Sequence, residues 1–94
     1  MNRFPVAHIN EQSVNLVIVP LDPSFGRKTQ DEQATTTAAL QFASASAGLA
    51  GQVVPVWEEN GRFAFFAPRN FHAFFASIDM LYVQMRLNRE LEIR

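Results

Sequence analysis

The chain of 94 residues contains no cysteine. That excludes disulfides, thiolate chemistry and cysteine-held metals. Charge is also scarce: 18% of residues are Asp, Glu, Lys or Arg, and the formal net charge is −1. Such a balance offers no basic footprint for nucleic-acid phosphates or acidic membranes. His8 and His72 are the two histidines. No His-x-x-x-His or Glu-x-x-His spacing occurs, so neither a metal nor any other cofactor is expected. No apolar run is long enough to span a membrane, and MNRFPVAHINEQ lacks the apolar core of a signal peptide. The expected location is therefore cytoplasmic. Repeats, low-complexity tracts and linkers are absent as well, so residues 1–94 read as one domain.

What the chain has in quantity is apolar side chains, 48% of the total with nine phenylalanines. So few charges imply that much of the surface is apolar or neutral, which favours a partner or a self-contact. The aromatic load is densest in Gln52–Pro68, QVVPVWEENGRFAFFAP, where Asn60-Gly61 between apolar runs signals a β-hairpin. A two-residue loop would pair Glu59 with Arg62 and put Pro55 in a hydrogen-bonded pair. Proline has no N–H to donate there. A three-residue loop pairs Glu58 with Arg62 and turns the proline nitrogen outward, so this register is expected. It places the Gln52 strand at a sheet edge. It also sets Trp57 opposite Phe63 and Pro55 opposite Phe65 on one face.

Ahead of the hairpin, Phe4–Ile9 reads as a short strand, Asn10–Ser13 as a turn and Val14–Leu21 as a strand covered on both faces. Thr29-Gln30-Asp31-Glu32 fits a capping box that opens a helix over Gln30–Ala47, ended by Gly48. Its inward stripe is predicted as Ala39, Leu40, Ala43 and Ala47, with Phe42 at the margin. A last helix is predicted over Phe71–Leu91. Phe71, Phe74, Phe75, Ile78, Leu81, Tyr82 and Met85 repeat at helical period on its main face. Ala73, Met80, Leu87 and Leu91 form a second apolar line that one sheet cannot also cover. The expected fold is a small two-layer α+β sandwich of order (β)βαββα. Its sheet is ferredoxin-like, with an N-terminal strand in place of the last one. The sheet order is N-terminal strand, Val14 strand, Arg62 strand, Gln52 strand, and both helices lie on one face.

Three functional readings follow. The surplus apolar surface points to a non-catalytic interaction module that homodimerises through Trp57, Phe63 and Phe65 on the sheet face, or through Met80 and Leu87 on the last helix. Gly61-Arg62-Phe63-Ala64-Phe65-Phe66 resembles the aromatic signature of RNA-recognition folds, with the glycine and the basic residue transposed. That resemblance implies single-stranded nucleic acid stacked on the open sheet face. It departs from the pattern at Pro68, where an aromatic should stand, and the Val14 strand supplies no second platform. Ser24, Arg27, Lys28 and Thr29 precede a helix N-terminus and would be the place for a small anion. They do not form a phosphate loop of the G-x-x-x-x-G-K-[ST] type. Nothing points to catalysis: no serine sits in a Gly-x-Ser-x-Gly elbow, and His72 and Asp79 lie two helical turns apart, about 10.5 Å.

Overall fold

The nearly continuous apolar run at Val14–Pro20 forms strand β2, with Leu16, Val17, Ile18 and Val19 fully buried. A strand covered on both faces needs a layer on each side, and both layers are present. A computed structural model describes residues 2–93. Among them, β1 is Asn2–Glu11, α1 is Gln30–Ser46, β3 is Gln52–Glu59 and β4 is Arg62–Phe65. They are followed by α2 at His72–Ala76, α3 at Met80–Gln84 and β5 at Arg89–Ile93. The five strands form one sheet in the order β4-β3-β2-β1-β5. Only the β2–β3 pair is parallel, joined through α1.

The mixed α+β class holds, and the finer arrangement differs from expectation in three ways. First, the helices lie on opposite faces. Leu40 of α1 packs with Val6, Val17, Val19, Val53 and Leu91, whereas Phe71, Phe75 and Val83 pack with Ala7, Leu16, Ile18, Val54 and Val56. The alternation along each strand sends neighbouring residues to different cores.

Second, β3 is an interior strand and β4 is the edge. The hairpin has a two-residue loop: Asn60 and Gly61 both take positive φ, 53° and 76°, and Glu59 pairs with Arg62. Trp57 therefore opposes Ala64, Val56 opposes Phe65, and Glu58 opposes Phe63. This slip of one residue moves Phe63 and Phe65 to the face away from Trp57. Pro55 is tolerated because of where β4 stops. Val56 turns its carbonyl toward β2, accepting from Leu21 at 2.8 Å, so Pro55 turns its backbone toward β4. Phe66 N–H donates to the Pro55 carbonyl at 3.0 Å, just past the last residue of β4. The bond that proline cannot make is the one at which the ladder ends.

Third, the predicted last helix is broken. A 3-10 turn at Arg69–Phe71 leads into α2, Ser77 Oγ donates to the Phe74 carbonyl at 2.6 Å, and Asp79 caps α3 by accepting from Tyr82 N–H at 2.9 Å. Leu91 belongs to β5 and is buried. On α3 the buried residue is Val83, while Leu81 and Met85 are turned outward.

The capping box is formed as expected. Thr29 Oγ1 accepts from Glu32 N–H at 3.1 Å, and Thr29 N–H donates to Glu32 Oε1 at 2.9 Å. The inward side of α1 is thin: Leu40 and Ser44 are buried, and Ala39 and Ala47 are exposed. Burying one leucine contributes roughly 1.5–3 kcal/mol. A polar anchor adds to it. Gln41 accepts from Val53 N–H at 2.8 Å and donates to the Gly51 carbonyl at 3.1 Å. Its carboxamide pairs with β3 beyond the point where β4 has gone. Gly51 passes so close to the Asn15 backbone, with φ at 113°, that a Cβ there would sit 2.5 Å from the Asn15 carbonyl carbon. No helix among the described residues is long and apolar enough to cross a membrane.

Gln41→Ala strands the Val53 N–H in a buried position. The expected loss is about 1–3 kcal/mol of stability in urea unfolding, with faster exchange of the Val53 amide. An unchanged midpoint would mean the anchor contributes nothing.

Candidate interaction surface

The β3–β4 hairpin presents different chemistry on its two faces. On the α1 side, Trp57 is sealed by the 3-10 turn Pro23–Arg27. Phe25 meets its indole edge-on, with centroids 5.0 Å apart and planes at 65°. The indole N–H donates to Glu59 Oε1 at 3.3 Å. Gly26 makes this closeness possible, since a Cβ there would lie 2.6 Å from Trp57 Nε1 and would collide with Glu59 Oε1. Trp57 is 8% exposed.

On the opposite face, Phe63 and Phe65 are half-buried against the core beneath α2. Phe65 has Phe75 and His72 each at 5.4 Å and Phe63 at 6.2 Å between centroids. Met80 and Leu87 are half-buried against the same core. The five residues expected on one or two apolar surfaces are thus divided between two faces and largely packed within the protomer. The side chains left outside are others: Phe42 is 76% exposed, Met85 74%, Leu81 61%, Phe66 51% and Val14 41%. Phe66 borders an open cleft with Phe65, Gln30, Asp31, Gln33, Ala34 and Trp57. Its position was readable only as the end of an aromatic run. Its exposure follows from β4 stopping at Phe65.

The backbone of β4 adds a second feature. Among the described residues it is hydrogen-bonded to β3 on one side and to no strand on the other. Phe66 faces β3, so by alternation Phe63 and Phe65 direct their N–H and C=O groups toward the open side. The other edge, β5, is lined by charge. Arg3 lies 3.8 Å from Glu90 and 3.6 Å from Glu92, and Arg89 is exposed beside them. Charged edges of this kind resist pairing with another strand.

Two of the four residues expected to bind a small anion, Ser24 and Thr29, already have carboxylate partners. Ser24 N–H donates to Asp22 Oδ1 at 2.8 Å, and Thr29 is engaged with Glu32. The Ser24 N–H holds the Asp22 carboxyl below its usual pKa, and the Thr29 N–H does the same for Glu32. Arg27 and Lys28 are exposed beside them. Asp22 and Glu32 thus stand next to the two cations, and nothing in the geometry of this loop distinguishes an anion site from a solvated turn. The remaining polar candidates also have local roles. His8 Nε2 donates to the Ala50 carbonyl at 2.8 Å, His72 Nε2 to that of Ala67 at 2.9 Å, and Asp79 caps α3.

No protein-family model, no curated protein and no solved structure matches the chain.

The depressed Glu32 pKa sets the sign of a pH effect. Folding favours the charged form, so the stabilisation is complete above the ordinary glutamate value of 4.5 and is lost as pH falls through the lower folded value. In acid titrations of stability, Glu32→Gln should flatten the decline below pH 4.5. An equally steep decline in the variant would assign it to other carboxylates.

Proposed function

We propose that the protein is a non-catalytic interaction module that pairs with a second copy of itself. The observation that carries this reading is the aromatic edge of the sheet: β4 has an unpaired backbone, half-buried Phe63 and Phe65, and an exposed Phe66 just beyond its end. An exposed strand edge bearing apolar side chains is a template for another strand. Within Arg62–Phe66 only Arg62 carries a charge, so this edge has little electrostatic protection. A second surface competes with it. Leu81 and Met85 stand one helical turn apart on the outer side of α3 and its C-terminal cap.

Sedimentation velocity across the micromolar range should give a mass that rises toward twice the protomer. The double variant Leu81→Lys, Met85→Lys changes only exposed side chains, so it separates the two surfaces. If the edge makes the contact, association persists within about twofold of wild type, a change under 0.5 kcal/mol. Dissociation of the double variant would assign the contact to α3, and a wild-type protein that stays a single species would sink the reading. Salt-dependent binding of a mixed single-stranded RNA pool, lost in Phe63→Ala, would replace it with nucleic-acid recognition.

A further inference from the structure

The structure assigns the partner's docking mode: two β4 strands pair edge to edge, antiparallel, about a two-fold axis at Ala64, extending the sheet from five strands to ten. This rests on the self-association proposed above and specifies its geometry. An axis perpendicular to the sheet preserves its faces, so opposed residues must share a face. The register that aligns the whole of Arg62–Phe66 sets Ala64 against Ala64 of the partner subunit. Phe63 then opposes the partner's Phe65, and Arg62 opposes the partner's Phe66.

Each requirement of that register is met by the protomer. Phe63 and Phe65 have their backbone groups directed outward, so each forms a hydrogen-bonded pair with its counterpart. On the α2 face, two phenylalanines from each copy form one cross-strand aromatic cluster, a favourable pairing between antiparallel strands. Ala64 at the axis offers no bulk to hold the strands apart. On the α1 face the charge is complementary. Arg62 makes no ion pair among the described residues. Opposite the partner's Phe66, it is directed to the cleft that the partner's Phe66 shares with the partner's Asp31. Guanidinium groups favour such a mixed aromatic and carboxylate setting.

The same operation at β5 fails. A two-fold axis at Leu91 sets Glu90 against Glu92 of the partner subunit on both sides. Like charges directly opposed are destabilising. In the registers centred on the middle of each edge strand, β4 is self-complementary and β5 is not.

Two measurements test this. Ala64 occupies a non-hydrogen-bonded pair, where Cα atoms stand about 4.5 Å apart. That lies within the roughly 4.4–6.8 Å reach of a disulfide. Under mild oxidation, Ala64→Cys should convert most of the protein to a covalent dimer, while Thr35→Cys, on the exposed side of α1, should not. In wild-type protein, exchange of the Phe63 and Phe65 amides should slow roughly tenfold or more as concentration carries the protein into the dimer. This second measurement needs no substitution. A dimer in which those two amides stay unprotected and Ala64→Cys does not cross-link would overturn the edge geometry and leave self-association standing. A wild-type protein that remains monomeric throughout would overturn both.

Discussion

Two strands of this sheet, β1 and β3, outrun the neighbours that pair with them, and the backbone left over must find hydrogen bonds elsewhere. An unpaired polar group in the interior costs about as much as a lost bond. Side-chain amides meet that need at both places. Gln41 serves Val53 and Gly51 where β4 has ended. Asn88, just before β5, accepts from His8 N–H at 2.8 Å and donates to the His8 carbonyl at 3.0 Å. Each carboxamide imitates a peptide unit and carries the ladder one step farther. The constraint also decides where proline can stand, because Pro55 lies at the one step where a donor is no longer required.

The two layers are consequently held in different ways. Beneath α2 and α3, the helices bring rings to the sheet: Phe71, Phe74, Phe75 and Tyr82 pack with Phe65 and the valines of β3. Beneath α1, the helix contributes Leu40, a buried Ser44 bonded to the Leu49 carbonyl, and the Gln41 anchor. Beyond its polar first turn, the exposed residues of α1 are alanine, serine or threonine with one large exception, Phe42. The apolar surplus evident in the composition is real, and most of it is accommodated by having a layer on each side of the sheet.

Local signals in the sequence were dependable where the chemistry is local. The Thr29–Glu32 box, the Gly48 terminator, the Asn60-Gly61 turn and the buried run of β2 were all legible. The errors came from neighbours. Pro55 selects the longer loop only on the assumption that the ladder extends to it, and nothing in the residues announces that β4 stops at Phe65. That assumption shifted the hairpin by one residue and joined Trp57, Phe63 and Phe65 on a single face. Helical spacing from Phe71 to Met85 concealed the break at Ser77–Asp79, although Asp79 is a good cap and Glu90-Leu91-Glu92-Ile93 alternates as a strand does. The candidate surface was legible only as a neighbourhood, the Arg62–Phe66 stretch. Which of its rings stand outside depends on a register that one sequence does not display.

The borders of the sheet have unlike characters, one bare and ring-bearing, the other salted with acid and base. A sheet with both borders bare could add copies without limit and grow into a fibre. In the pairing proposed above, each molecule would offer a single border to another, and joining two would consume both. Under the proposed pairing, growth would stop at a pair, with the glutamates at the far ends as its outer walls.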